Sequence, residues 1–204
     1  LRDYQKDGYY WLHFLRDFGF GGILADDMGL GKTVQVLAFL SKLAEKNPSG
    51  TYLIVVPTSL VFNWQNEIAK FTPHLSVFEN YGKNRVKSVS AFENSQLVLT
   101  TYGSLMSDIK HFKEYDFSCV ILDEGQAIKN PDSKRYKMVR LLQAQQRIVL
   151  TGTPIENRPE ELGALFEFME VVPKAASPDL RQLSKLAKKY ILRRTKDLVM
   201  KAMA

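Results

Sequence analysis

Gly22-Ile23-Leu24-Ala25-Asp26-Asp27-Met28-Gly29-Leu30-Gly31-Lys32-Thr33 joins a short apolar run to a glycine-bent turn and a Lys-Thr pair. Residues 22–25 have the pattern of a buried strand. Residues 33–45 follow with Val36, Leu37, Leu40, Leu43 and Ala44 on one helical face, and Asn47-Pro48-Ser49-Gly50 ends the pattern. Between strand and helix, Gly29 and Gly31 let the backbone curl so that successive N–H groups point at one centre. The helix start adds its positive end, suited to phosphate oxygens. Lys32 can reach the outer phosphates of a nucleoside triphosphate, and the Thr33 hydroxyl can ligate Mg²⁺. Asp26 stands where the common G-x-x-x-x-G-K-[ST] pattern has its first glycine. The competing reading is a turn carrying Gly-Lys-Thr by chance, which the strand–loop–helix context disfavours.

Outward from this point, residues 52–56, 75–81, 96–101, 118–123 and 147–151 are further strand candidates. Residues 3–17 have a helical pattern, with Tyr4, Gly8, Trp11, Leu12 and Leu15 on one side. Strands alternating with helices predict an α/β three-layer sandwich around a mainly parallel sheet. Ligands in such folds bind at the carboxyl ends of the strands.

A second chemical motif sits at such an end. Phe117-Ser118-Cys119-Val120-Ile121-Leu122 runs into Asp123-Glu124-Gly125-Gln126. Two acids at the tip of a buried strand are costly unless they meet a cation or water. Asp123 can serve Mg²⁺ while Glu124 orients and deprotonates a water, which separates metal binding from general-base work. The competing reading of the pair alone is a loop-start cap, the less favoured of the two. Cys119 lies within the strand, and its type there is core filler. At the end of residues 147–150, Thr151-Gly152-Thr153 presents small hydroxyls suited to sensing a γ-phosphate. Isolated, it is an ordinary turn; in series with the other two motifs it suggests a relay.

Composition narrows the class. The hydrophobic fraction of 45% and charged fraction of 25% are those of an ordinary globular domain. The apolar runs are too short to cross a bilayer, and the first residues do not form a signal peptide. One cysteine excludes an internal disulfide framework. The expected location is intracellular: cytoplasmic and nucleoid-associated in a bacterium or archaeon, nuclear in a eukaryote. The net charge of +6 is uneven: residues 181–204 carry eight Lys/Arg against Asp197 alone, which leaves the body near neutral. Within the body, Lys129, Lys134, Arg135, Lys137, Arg140 and Arg147 face only Asp132 over residues 129–147. Such a patch could meet phosphates, but by itself a charged helix face is more often just solvated.

The ordered set of motifs resembles the Swi/Snf-type, helicase-like DNA translocases of helicase superfamily 2, across nearly the whole chain. Leu1-Arg2-Asp3-Tyr4-Gln5 looks like the adenine-recognition motif, with Gln5 as its glutamine. The run from Asp26 to Thr33 matches motif I, with Asp27, Met28, Gly29, Leu30, Gly31, Lys32 and Thr33 as nucleotide-binding positions. Val55-Val56-Pro57-Thr58-Ser59-Leu60 with Asn63-Trp64 resembles motif Ia, and Leu99-Thr100-Thr101-Tyr102 resembles motif Ib. Asp123 to Gln126 with Lys129-Asn130 resembles motif II, with Gln126 where many relatives have histidine. The run from Leu150 to Asn157 resembles motif III. Ile191-Leu192-Arg193-Arg194-Thr195-Lys196 looks like the segment leading to a second lobe.

The resemblance implies a RecA-like P-loop NTPase lobe that uses ATP and Mg²⁺. Lys32, Asp123, Glu124 and Gln126 would be catalytic, with Thr33 and Asp123 as metal ligands. Thr58, Asn63, Trp64, Thr100, Thr101, Lys129 and Asn130 would face nucleic acid, and Thr151, Gly152 and Thr153 would couple hydrolysis to movement. On residue chemistry alone, Gln5 is equally an exposed helix residue, Thr58, Asn63 and Trp64 a cap with ordinary packing, and Thr100-Thr101 a strand end. The expected partners are double-stranded DNA, protein bound to it and a second RecA-like lobe, with no membrane. The expected division is residues 1–170 as the lobe and 171–204 as a basic extension. Two departures stand out: residues 171–179 are short and rich in Ala, Pro and Ser, and the chain stops soon after Lys196. An isolated lobe of this kind would bind ATP weakly and turn over little, because relatives supply stabilising arginines from the second lobe. The rival readings are a strand-separating DNA or RNA helicase and a non-catalytic DNA- or protein-binding lobe.

Overall fold

A computed structural model describes residues 1–83, 85–153, 158–172 and 179–204. In chain order its elements begin with α1 (Asp3–Asp17), β1 (Gly22–Leu24), α2 (Lys32–Lys46), β2 (Tyr52–Val56), α3 (Val61–Phe71), β3 (Val77–Asn80), α4 (Ser90–Glu93) and β4 (Leu97–Thr101). They continue with α5 (Tyr102–Ser107), α6 (Ile109–Phe112), β5 (Asp116–Phe117), β6 (Cys119–Leu122), α7 (Lys134–Val139), β7 (Gln143–Ala144) and β8 (Arg147–Leu150). The last are α8 (Pro159–Phe168), α9 (Leu180–Tyr190), β9 (Ile191–Leu192) and α10 (Lys196–Met203).

Seven of the described strands form one sheet in the order β3-β4-β2-β6-β8-β1-β9, and each pairing in it is parallel. Alternate residues of each strand enter opposite cores. Leu53, Val55, Val98, Val120, Leu122 and Val149 pack on one face with Tyr102, Phe112, Tyr136, Phe166 and Leu183. Tyr52, Ile54, Val56, Ile121, Ile148 and Leu150 pack on the other with Leu12, Val36, Leu40, Trp64 and Ile68. The strands therefore show continuous apolar sequence, because both faces are covered. Each fully buried aliphatic or aromatic side chain contributes roughly 1.5–3 kcal/mol of burial free energy. The three-layer α/β sandwich and its mainly parallel sheet follow the sequence expectation.

All six strand candidates are present, with the run at 75–81 shortened to β3. Two features were not anticipated. β5 and β7 pair as a separate two-stranded ribbon. β9 adds to the sheet edge beside β1, with Ile23 opposite Ile191 and Leu24 opposite Leu192. The region expected as an extension thus supplies a sheet strand at β9 and a core residue at Leu183, which is 2% exposed. Asp179 caps α9 through a reciprocal pair with Gln182. Residues 173–178, most of the shortened stretch, lie outside the described residues.

Of the six cations in the basic patch at 129–147, four have partners among the described residues. Arg147 is 8% exposed, donates to the Leu142 carbonyl at 2.9 Å and pairs with Glu170 at 3.1 Å. Arg140 pairs with Glu167 at 3.4 Å, and Lys129 with Glu161 at 3.3 Å. The Arg135 guanidinium lies over the Tyr102 ring, 5.1 Å from its centroid. Lys134, Arg135 and Lys137 remain exposed.

Candidate nucleotide site

β6, β8 and β1 are consecutive in the sheet and in register, with Leu122 opposite Val149 and Leu150 opposite Leu24. Parallel strands end on the same side, so the loops starting at Asp123, Thr151 and Ala25 emerge next to one another. Backbone hydrogen bonds fix those exits: Thr151 N–H to the Leu24 carbonyl at 3.1 Å, and Asp123 N–H to the Val55 carbonyl at 2.8 Å. Three motifs 28 or more residues apart in sequence are thereby brought to one sheet edge.

In the loop after β1, Gly29 and Gly31 have φ of 88° and 83°, the left-handed region that favours glycine. Gly31 is the N-cap of α2. A Cβ there would lie 2.5 Å from Gln5 Nε2, so the glycine also makes room for α1. Gln5 Nε2–H donates to the Leu30 carbonyl at 3.2 Å, and the Tyr4 hydroxyl donates to the same carbonyl at 2.7 Å. Lys32 Nζ donates to the Asp26 carbonyl at 2.7 Å and lies 3.6 Å from where a Cβ on Gly152 would stand. Burial lowers the Lys32 pKa below the ordinary lysine value, while the charges of Asp26, Asp123, Glu124 and Asp27 oppose that fall. The Thr33 hydroxyl has no hydrogen-bond partner among the described residues.

Lys32 and Asp123 open onto one cavity of about 330 Å³. Met28, Gly29, Gly31 and Thr33 line it from the loop, Glu124 from beyond β6, and Leu60, Asn63 and Glu67 from the α3 side. A larger groove of about 450 Å³ on the outer face of α2, among Tyr9, Val34, Ala38 and Phe71, has Lys42 and Glu45 as its charged side chains among the described residues. Those two pair with each other at 3.2 Å, and no strand end opens there. The chemistry lies in the smaller cavity.

Asp123 is 7% exposed and held at three points. Its Oδ2 accepts the Trp64 indole N–H at 2.8 Å, its Oδ1 accepts the Glu124 N–H at 2.8 Å, and its carbonyl accepts the Tyr102 hydroxyl at 2.6 Å. Burial pushes the carboxyl pKa up; the hydrogen bonds from Trp64 and the Glu124 amide oppose this, the Glu124 charge adds to it, and Lys32 opposes it. Among the described residues each carboxylate oxygen accepts a single hydrogen bond, which leaves acceptor capacity on a side chain that lines the cavity. Together with the unpartnered Thr33 hydroxyl, this is a hard-oxygen donor set that fits a magnesium ion shared with phosphates.

Glu124 has φ 50°, an uncommon conformation for a residue with a Cβ, which costs about 1–3 kcal/mol. Gln126 Nε2–H donates to Glu124 Oε2 at 2.5 Å, and the Thr151 hydroxyl donates to Gln126 Oε1 at 3.0 Å. The Thr151 and Thr153 hydroxyls lie 3.0 Å apart. An unbroken hydrogen-bonded chain thus runs from Glu124 through Gln126 to the loop after β8. Residues 154–157, the rest of that motif, lie outside the described residues. Cys119 is fully buried, and burial raises its thiol to about 12, as befits a core residue.

The residues expected to face nucleic acid divide. Thr58, Asn63, Lys129 and Asn130 are exposed, with Asn63 also on the rim of the cavity. Trp64, Thr100 and Thr101 are corrections: at 0%, 0% and 5% exposure their side chains do not reach the surface. Trp64 faces inward to Asp123. The Thr100 hydroxyl donates to the Asn80 carbonyl at 2.8 Å, and Thr101 caps α5 by accepting the Ser104 N–H at 3.1 Å. Sequence reasoning missed the contacts that Trp64 and Tyr102 make with Asp123. It also missed the partner of Asp26, although the acid in place of a glycine was the available signal.

Fold and site together define a RecA-like nucleotide-binding lobe. The model of the SNF2-related domain matches residues 4–179, and the chain belongs to that family. It is 41% identical, over 96% of its length, to YwqA of Bacillus subtilis, named as a candidate ATP-dependent helicase/translocase, and spans 24% of that protein. It is also 41% identical, over 83% of its length, to the chromatin-remodeling ATPase INO80 of Lodderomyces elongisporus, spanning 12% of it. Among solved structures, the Sulfolobus solfataricus SWI2/SNF2 ATPase core in complex with dsDNA superposes with a TM-score of 0.85 at 36% identity, covering 96% of this chain and 44% of that one. The chain therefore spans a quarter or less of these two curated relatives.

Proposed function

We propose that this chain is the ATP-binding lobe of a DNA-dependent ATPase that moves along double-stranded DNA and remodels protein–DNA complexes. The observation that carries the reading is the convergence of Lys32, Asp123 and Glu124 on one cavity at the tips of β1 and β6, the two parallel strands that flank β8. A scaffold has no use for a half-buried ammonium, a buried carboxylate and a strained acid in one place. The names of the relatives support ATP as the nucleotide, and the DNA-bound neighbour supports duplex DNA as the track.

In this reading the loop amides and Lys32 bind the phosphates, and Gln5 with Tyr4 braces the loop from the adenine side. Thr33 and Asp123 would hold Mg²⁺, which neutralises phosphate charge when bound. Glu124 takes the proton of the attacking water, and the Gln126 amide, bonded to one of its oxygens, orients it. Thr151 and Thr153 carry a change at Glu124 to the loop after β8. Exposed Thr58, Asn63, Lys129 and Asn130 meet the DNA backbone, which makes binding indifferent to sequence and sensitive to salt. A second lobe in the whole protein supplies further positive charge to the transferring phosphoryl group, so this lobe alone turns over little.

ATPase rates of the complete protein with duplex DNA, single-stranded DNA and RNA test the reading. Duplex DNA is expected to stimulate most. Greater stimulation by a single strand or by RNA would favour a strand-separating helicase instead.

A further inference from the structure

Two elements that carry exposed residues end on the same buried residue. α3 turns Phe62, Asn63 and Asn66 outward, and Phe62 is 73% exposed. Trp64, one residue beyond Asn63, turns inward and is fully buried. Its indole N–H goes to the Asp123 carboxylate at 2.8 Å. α5 begins at Tyr102, directly beneath the exposed Arg135, whose guanidinium lies 5.1 Å from the ring centroid. The Tyr102 hydroxyl goes to the Asp123 carbonyl at 2.6 Å. One residue of the candidate metal site is thus gripped by its side chain from α3 and by its backbone from α5.

Buried Trp and Tyr polar groups need partners, and backbone carbonyls of the core usually serve. Here both are committed to the residue that faces Lys32. Asp123 in turn accepts the Glu124 N–H and so holds the left-handed backbone of the general base. A small rotation of α3 about its axis, or a pull on Arg135, changes the direction of the Asp123 lone pairs and the placement of Glu124 together.

We propose that Trp64 and Tyr102 are positioning residues that relay nucleic-acid binding at the outer faces of α3 and Arg135 to Asp123. The proposal rests on the reading of the lobe as part of a DNA-stimulated ATPase. Phosphate engagement at Asn63 and Arg135 locks both grips, and Asp123 adopts its productive orientation. Neither positioning residue touches the DNA.

The test uses the full-length protein, wild type, Trp64→Phe and Tyr102→Phe. The first variant keeps an aromatic ring and removes the indole donor; the second removes one hydroxyl and guards against a folding defect in the first. ATPase rates are measured with and without duplex DNA, with DNA affinity by fluorescence anisotropy. Electron paramagnetic resonance of Mn²⁺ with a non-hydrolysable ATP analogue reports the metal environment. Trp64→Phe is expected to lower the ratio of DNA-stimulated to DNA-free rate by about tenfold, the scale of one hydrogen bond to a charged group, and Tyr102→Phe by about threefold, the scale of one hydrogen bond to a neutral carbonyl, both at unchanged DNA affinity. DNA is expected to alter the Mn²⁺ line shape in the wild type and not in Trp64→Phe. Equal loss of both rates at an unchanged ratio would reduce the two residues to scaffolding and overturn the relay. A loss traced to weaker DNA binding would overturn it too, by making them direct contacts. A wild-type protein without DNA stimulation overturns the underlying functional reading, and is recognised before any variant is made.

Discussion

Asp26 and Arg194, 168 residues apart, form an ion pair of 2.5 Å in which the carboxylate is fully buried and the guanidinium side chain is 14% exposed. Arg194 also donates its backbone N–H and Nε–H to Asp26 Oδ1 at 2.9 and 3.0 Å, and NH2 to Gln35 Oε1 at 2.7 Å. It donates to the Tyr4 carbonyl and lies over the Tyr4 ring. One guanidinium therefore ties α1, the phosphate loop, α2 and the segment after β9. The absent side chain of Gly8 leaves the space in which Gln35 and Arg194 meet. Asp27 repeats the arrangement nearer the surface, accepting from Arg193 at 3.1 Å and from the Lys196 N–H at 3.0 Å.

Arg194→Met leaves Asp26 charged and unpaired in the interior and is expected to destabilise the chain by about 3–5 kcal/mol. The double change Asp26→Leu with Arg194→Met is expected to recover most of that loss, since a buried pair is often replaceable by apolar groups. Urea unfolding of the three proteins checks both. A double variant no better than the single one would mean that the pair is irreplaceable for the loop itself.

Gly125 follows the strained Glu124, and a Cβ placed on it would run into Val149 Cγ1 of β8. Gly125→Ala is expected to cost about 1–3 kcal/mol through overpacking. In a domain of this size that lowers Tm by roughly 2–4 °C per kcal/mol. The shift also displaces Glu124, so ATPase activity should fall by more than the loss of folded protein explains. Calorimetry and rate measurements on one preparation separate the two effects.

Asp108 accepts from Arg85 Nε at 2.5 Å and NH2 at 2.9 Å and from Asn80 at 3.1 Å, closing the ends of β3 and β4. Burial alone would raise its pKa; the hydrogen bonds from Arg85 and Asn80, with the charges of Arg85 and His111, outweigh that and lower it. A depressed carboxyl gives stability that is present above its unfolded pKa, about 4, and lost as pH falls through the lower folded value. Asp108→Asn should therefore flatten the acid limb of the Tm–pH curve below about pH 4. It should also cost about 1–2 kcal/mol at neutral pH, discounted for the partial exposure of Arg85. An unchanged acid limb would contradict the role given to the pair.

The strands were legible because burial on both faces writes them as unbroken apolar runs, as in Tyr52–Val56. The phosphate loop was legible because left-handed turns require glycine at Gly29 and Gly31. β9 was not legible: Ile191 and Leu192 are two residues at the end of a strongly basic helix, and nothing local marks them as a sheet edge. The orientation of Trp64 was equally hidden. A helix presents residues 63 and 64 about 100° apart, and only packing decides which of them faces the DNA side and which the core. The Asp26–Arg194 pair spans nearly the whole chain, beyond the reach of any local pattern.

Lys32→Ala removes the ammonium that lies among Asp26, Asp123 and Glu124. Nucleotide affinity is expected to fall by about tenfold or more, on the scale of one lost hydrogen bond to a charged group. The fold should survive, because Lys32 donates only to backbone carbonyls of its own loop. Fluorescent-nucleotide titration alongside circular dichroism checks the pair of outcomes.

Hydrolysis and nucleotide binding measured side by side on Glu124→Gln in the complete protein test the assignment of the site most directly. The amide keeps the shape and the contact with Gln126 but cannot take a proton. ATP binding is expected to persist while DNA-stimulated hydrolysis drops by about 10²–10⁴-fold. A Glu124→Gln protein that hydrolyses ATP at the wild-type rate would contradict the role of the cavity between Lys32 and Asp123 as the catalytic centre.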